Sequence, residues 1–159
     1  MKKLMIFTDG SVNPQSNIGY GAYLAIEDSK IAIELLKQHI KIKRFEDTSS
    51  TKLELQILLW ALTDTNTSNK MIIIYTDSQN ILTLQKRRKR LEQNDYRSKK
   101  NVQIKNHKLY REFYKITDLL NCEFFKVKGH KVSNQKTEID ILFTLVDRAS
   151  RKAQRDENQ

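Results

Sequence analysis

Apolar residues fall along this chain in runs of two kinds. Leu4-Met5-Ile6-Phe7 and Met71-Ile72-Ile73-Ile74-Tyr75 are short and unbroken, and each runs straight into Thr-Asp, at Thr8-Asp9 and at Thr76-Asp77. Runs of that length without polar alternation suit strands covered on both faces of a sheet, so both aspartates are predicted at strand C-termini. Residues 19–26, GYGAYLAI, predict a second strand opened by glycines. Residues 31–44 predict a third, apolar at 31, 33 and 35 and then at 40 and 42; the change of parity requires a bulge or bend. Three such strands in succession make an antiparallel meander.

The second kind of run has helical spacing. KLELQILLWAL, residues 52–62, is apolar around most of a helical circumference and follows Ser49-Ser50-Thr51, whose hydroxyls suit an N-cap; it predicts a buried helix, with Trp60 in the core. Asp77-Ser78 caps a helix through Ile81, Leu82 and Leu84 into a basic stretch. An amphipathic helix follows over 106–120, with Leu109, Phe113, Ile116 and Leu120 on one face. CEFFKVK is a last strand, GHKVSNQK a loop, and 136–155 a terminal helix. From residue 50 onward helix and strand alternate, which predicts one mixed α/β domain over residues 1–159.

Composition narrows the partners. Lys and Arg number 29 against 19 acids, a formal charge of +10 over 159 residues, which favours polyanions such as nucleic acid. The lone Cys122 excludes an intrachain disulfide and a cysteine metal cluster, in keeping with a cytoplasmic location. Lys2-Lys3 precede an apolar run too short for a secretion signal, and no stretch approaches the roughly 20 apolar residues of a membrane span. No membrane partner is expected.

If the strands ending in Asp9 and Asp77 are neighbours, about 4.8 Å apart, their carboxylates converge. Like charges that close raise each other's pKa or demand a cation, and oxygen ligands without cysteine point to Mg²⁺ or Mn²⁺. Singly, each has a plainer explanation: Asp-Gly is a common turn and Asp-Ser a common helix start. Glu54 is the only charge between Leu53 and Leu62, and a carboxylate at the start of so apolar a helix is costly unless paired, coordinated or exposed at the helix end.

These residues carry a resemblance, from Lys3 to Ala153, to the type 1 ribonucleases H. FTDGS with the following NP and GYGAYL is similar to that family's first strand and glycine turn. TSSTKLEL resembles the loop and helix that carry its second carboxylate, YTDSQ its third motif, FFKVKGH the strand and loop that deliver a mobile histidine, and LVDRASRKA the terminal helix with the fourth carboxylate. The resemblance implies a ribonuclease H-like fold, a five-stranded mixed sheet with helices on both faces. It implies that Asp9, Glu54, Asp77 and Asp147 bind two Mg²⁺ ions, Mn²⁺ being an alternative, with Asp9 bridging. His130 would assist proton transfer or product departure. Asp140 lies one heptad before Asp147 on the same helix face, but the RASRKA that follows Asp147 matches the family better.

The implied activity is metal-dependent cleavage of the RNA strand of RNA/DNA hybrids, leaving 5′-phosphate and 3′-hydroxyl ends. Gly10, Ser11, Asn13, Ser50, Thr51 and Gln79 stand where substrate contacts are expected, and Ser49 matches a position that helps bind a DNA phosphate. Residues 85–100 hold eight Lys/Arg against two acids, within a basic protrusion over about 85–105. Arg87, Arg88 and Arg90 are its expected phosphate contacts, and Tyr96 is its single aromatic. Two alternatives remain open: a catalytically silent nucleic-acid-binding module, and a DNA nuclease or transposase-like domain on the same fold.

Overall fold

β1 (Lys2–Asn13) is the strand around which the rest is arranged: one edge runs parallel to β4 (Lys70–Thr76) and the other antiparallel to β2 (Ile18–Ile26). β3 (Lys41–Phe45) adds antiparallel to β2 and β5 (Asn121–Lys126) parallel to β4, so the sheet order is β3-β2-β1-β4-β5. The computed structural model describes residues 1–27, 31–128, 137–157 and 159. The mixed α/β character is what the alternation of elements predicts, and the five-stranded sheet with helices on both faces is what the family resemblance implies.

Strand pleating separates two cores. Leu4 and Ile6 of β1, Ile72 and Ile74 of β4 and Tyr23 of β2 pack with α2 (Ser50–Asp64) and α5 (His107–Asp118). Phe7, Ala22, Leu24 and Ile26 point the other way, to Leu142, Phe143 and Val146 of α6 (Glu138–Glu157). α2 lies between the sheet and α5, which explains why Leu53, Leu55, Ile57, Leu58, Leu59, Ala61 and Leu62 are all buried. Trp60 packs on this core, its ring edge-on to Tyr23 with centroids 4.7 Å apart. Between β4 and α5 come α3 (Gln79–Leu82) and α4 (Leu84–Gln93).

Gly10 and Gly21 face each other across the β1–β2 ladder, under α2. A Cβ on Gly21 would stand 2.3 Å from Ile57 Cγ1, and one on Gly10 2.7 Å from Ile57 Cδ1. The two glycines therefore let α2 sit closer to the sheet than any side chain would allow.

Two expectations are corrected. Residues 31–44 are not one strand: α1 (Ile33–Lys37) precedes β3. Ile31, Ile33 and Leu35, whose alternation suggested a strand, are the exposed residues of that stretch, whereas Leu36 is fully buried against the α6-side core. Only a helix turn, begun by Leu36 N–H donating to Ala32 O, brings that one side chain inward. Nor does Asp9 end its strand. The parallel ladder with β4 stops at Phe7–Tyr75, but pairing with β2 carries β1 on to Asn13, so Asp9 lies inside β1 where the parallel ladder has run out. The loop expected over GHKVSNQK, 129–136, lies outside the described residues. Among the described residues, no helix is long and apolar enough to cross a membrane.

Candidate active site

Four elements each deliver one carboxylate to a cleft of about 480 Å³ at the end of the β1–β4 ladder. It is lined by Asp9, Gly10, Ser11, Glu54, Asp77, Asp147, Arg151, Gln154 and Arg155. Asp9 shares the strand face of Phe7, the face covered by α6, and so meets Asp147 from that helix. Glu54 comes from the second turn of α2 on the opposite face, and Asp77 from the link between β4 and α3.

The local sequence explains each placement. Val127 N–H donates to Thr76 O (2.9 Å), fastening the end of β4 to the chain leaving β5, so Asp77 emerges from a fixed strand end. Ser78, buried, accepts from Ile81 N–H through Oγ (3.2 Å), capping α3. The same hydroxyl donates to Glu54 Oε2 at 2.5 Å. Ser78 thus orients the second carboxylate while starting the helix beside the third. The sequence shows its capping role, but a contact 24 residues away leaves no local signal.

Burial, a hydrogen bond with Asp147 and the charges of Asp77 and Asp147 push Asp9 up to about 9, against the Gly10 backbone N–H, which favours the anion. Glu54 is also raised, by burial first and by the charge of Asp77, while its hydrogen bond with Ser78 lowers it. Asp147 Oδ1 accepts from Arg151 Nε at 3.0 Å. Among the described residues no three carboxylate, imidazole or thiol groups are placed to hold a metal ion as they stand, since Glu54 is turned to Ser78 and Asp147 to Arg151. The donor set nevertheless suits a hard divalent cation: four carboxylates line one open cleft, and burial, with the Asp147 hydrogen bond and the charges of Asp77 and Asp147, favours a proton on Asp9 that positive charge would displace.

Asp140 is placed otherwise. It is buried, and its Oδ2 accepts from Thr137 N–H (2.9 Å) and Thr137 Oγ1 (3.0 Å) at the start of α6, away from the residues lining the cleft. Asp140→Ala should therefore cost about 1 kcal/mol of stability, as loss of a helix cap does, and leave most of the activity. Asp147→Asn should do the reverse. Thermal melts beside initial rates check this, and the opposite ordering would mean that the wrong turn of α6 carries the fourth acid.

Of the expected substrate contacts, Gly10 and Ser11 line the cleft. Asn13 Oδ1 instead accepts from Gln15 N–H (2.9 Å), shaping the β1–β2 turn. Ser50 and Thr51 are exposed in the first turn of α2 and Gln79 in the first of α3. Ser49 caps α2, Oγ accepting from Lys52 N–H (3.3 Å), and lines a second cleft of about 640 Å³ with Lys52, Lys105, Asn106 and Lys108. His130 lies outside the described residues.

The basic segment divides. Arg88 donates to both oxygens of Asp118 (2.5 and 2.7 Å) and to Glu92 (2.8 Å), and stacks over Tyr114. Arg87 donates to the Asn80 carbonyl (2.8 Å) and side chain (2.6 Å). Arg90 makes no such side-chain bond among the described residues and, with Arg97 and Lys99, lines an open cleft. We expect Arg88→Ala to lower the melting temperature with little change in the salt dependence of nucleic-acid binding. Arg90→Ala should leave the melt alone and lower the log–log salt slope by about one unit. Binding titrations across a salt series decide; an unchanged slope for Arg90→Ala would make that arginine merely solvated.

The chain is 28% identical over 147 residues to the ribonuclease H of Caldicellulosiruptor saccharolyticus, an alignment covering 89% of this chain and 94% of that protein. It is likewise 28% identical over 150 residues to the ribonuclease H of Acetivibrio thermocellus, covering 91% and 94%. Its fold is similar to that of a chain in the foamy viral protease-reverse transcriptase solved in complex with dsDNA, with a TM-score of 0.68 at 14% identity over 94% of each chain. The family model described as RNase H matches residues 1–147, from the first strand of the sheet to the cleft aspartate of α6. The chain therefore belongs to the ribonuclease H family and is an enzyme of that family.

Proposed function

We propose that this protein hydrolyses the RNA strand of RNA/DNA hybrids by two-metal-ion chemistry, releasing 5′-phosphate and 3′-hydroxyl ends. The observation that carries the reading is the delivery of Asp9, Glu54, Asp77 and Asp147 from four different elements to one open cleft, in a chain matched by the family model across all four. Nucleic acid as partner accords with the family, with a net charge of +10, and with the dsDNA of the foamy viral complex.

Mg²⁺ or Mn²⁺ would be held by those four carboxylates and would supply a water of lowered pKa and a charge for the leaving 3′ oxygen. The chain's own contribution is order. The β1–β2 ladder fixes the backbone at Asp9 and the end of β4 that at Asp77, so loading the site asks only for side-chain turns, Glu54 from Ser78 and Asp147 from Arg151. Asp9 must give up its proton on loading, which makes cation binding stronger as pH rises towards 9. Lys52, Lys105 and Lys108 around Ser49, and the Arg90 side of the basic segment, would hold phosphates remote from the cleft.

The test is a cleavage assay with Mg²⁺ or Mn²⁺ on matched hybrid, double-stranded RNA and double-stranded DNA. Cutting confined to the RNA of the hybrid, with 5′-phosphate ends and complete loss on chelation, is expected. Binding of the hybrid without cleavage would favour a silent module; cutting of double-stranded DNA would favour a DNA nuclease.

A further inference from the structure

Two arginines share the cleft with the four carboxylates. α6 continues ten residues beyond Asp147, and at steps of four it presents Arg151 and then Arg155 along the same side. Each step advances about 6 Å along the helix axis, comparable to the step between successive phosphates of a strand. Both arginines are exposed, so burial does not account for them.

Their placement is built. Gln154, between them, is 7% exposed. In the amide orientation that sets donor against acceptor, its Nε2 donates to the carbonyl oxygens of Ser11 (2.9 Å) and Ile18 (3.3 Å). One side chain thus ties α6 to both strands of the β1–β2 hairpin beside Asp9, fixing where the next turns of the helix stand over the cleft. Arg151 uses only Nε, on Asp147, and its two Nη groups make no hydrogen bond among the described residues. Arg155 makes no ion pair or side-chain hydrogen bond among the described residues, although Asp156 and Glu157, its neighbours in sequence, are held by Lys152 and Arg44. Guanidinium donors left open in this way match the paired oxygens of a phosphate.

We propose that Arg151 and Arg155 form a phosphate clamp on the α6 wall of the cleft, taking consecutive phosphates of the strand that lies in the site. Gln154 acts as its positioning residue. The clamp rests on the hybrid-cleaving function proposed above and extends it, because a cleft of four carboxylates repels a polyanion and the two arginines give that strand a point of attachment within it. Arg151 also counters Asp147 until substrate arrives.

The experiment compares the parent with Arg151→Ala, Arg155→Ala, Arg155→Lys and the double alanine variant. Hybrid affinity is measured in Ca²⁺ across a salt series, KM and kcat in Mg²⁺, and Mn²⁺ affinity by calorimetry. Arg155→Ala should weaken hybrid binding about tenfold and lower the salt slope by about one unit, with the double variant losing about two. Arg155→Lys should restore the slope but only part of the affinity, since an ammonium lacks the two-pronged geometry. Gln154→Leu should raise KM in the same direction without changing the slope. A silent Arg155→Ala, with Arg151→Ala altering Mn²⁺ affinity alone, would overturn the clamp and leave Arg151 as a counter-ion. A parent that neither binds nor cuts the hybrid would instead overturn the functional reading itself.

Discussion

Asp9→Asn should abolish hybrid cleavage while hybrid binding survives. The substitution keeps the shape of a side chain held inside β1 and removes one anionic oxygen from the centre of the cleft, between Asp77 and Asp147, whose charges both act on it. An amide still accepts hydrogen bonds but is a poor ligand for a hard cation, so the loss falls on cation binding and transition-state stabilisation together. A fall in kcat on the order of 10²–10³-fold or more is expected, with the Kd for hybrid in Ca²⁺ little changed because basic side chains, which the substitution leaves in place, carry the phosphate contacts. Single-turnover rates beside equilibrium binding check this, and activity within about tenfold of the parent would remove Asp9 from the centre of the mechanism.

The same variant should be more stable than the parent without divalent ions. A carboxyl raised in the folded protein binds its proton more tightly than in the unfolded chain, so between its ordinary value of about 4 and about 9 stability falls as pH rises. Asp9→Asn removes that fall. At neutral pH its melting temperature should exceed the parent's by about 2–4 °C for each kcal/mol recovered, and divalent ions should narrow the gap by stabilising the parent alone. Metal-free melts from pH 5 to 9 would show a sloping line for the parent and a flatter one for the variant. Equal slopes would mean that Asp9 is ionised in the fold at ordinary pH.

Features written in short-range pattern were legible from the chain. Unbroken apolar runs leading into Thr-Asp mark β1 and β4 as strands covered on both faces, and an apolar circumference marks α2 as a helix covered on several sides. Local pattern misled where exposure and burial decouple from it. In Ile31 to Leu36 the alternating residues are the exposed ones, and a single buried leucine sets the conformation. Charge counting carries no sign of partners either: Arg88 is paired with Asp118, 30 residues on, and Arg87 is hydrogen-bonded to Asn80. The link from Ser78 to Glu54 and that from Gln154 to Ser11 join elements only after the sheet and helices have met.

The glycines of β1 and β2 carry the last of these long-range dependencies, and Gly21→Ala should damage both fold and catalysis. The added methyl would lie 2.3 Å from Ile57 Cγ1, 2.8 Å from Ile57 Cδ1 and 3.3 Å from Phe45 Cε2. Cγ1 is close to the helix backbone and has little room to swing aside, so α2 itself must shift. Overpacking of this kind costs about 1–3 kcal/mol. Its functional effect follows from geometry: Glu54 is one residue from Leu53, whose Cδ2 stands 2.8 Å from the position a Cβ on Gly10 would take, so α2 meets the ladder on both strands just where it delivers its carboxylate. Moving α2 outward stretches the Ser78–Glu54 hydrogen bond and withdraws one ligand from the cleft. A displacement of about 1 Å is enough to cost up to about 100-fold in kcat. Ile57→Ala should relieve the crowding, so the double variant Gly21→Ala/Ile57→Ala should be more active than Gly21→Ala alone, although Ile57→Ala by itself is destabilising. Melts and steady-state rates for the three variants close the cycle. If Gly21→Ala keeps its melting temperature and its rate, α2 has room to spare and the paired glycines do not set the position of Glu54.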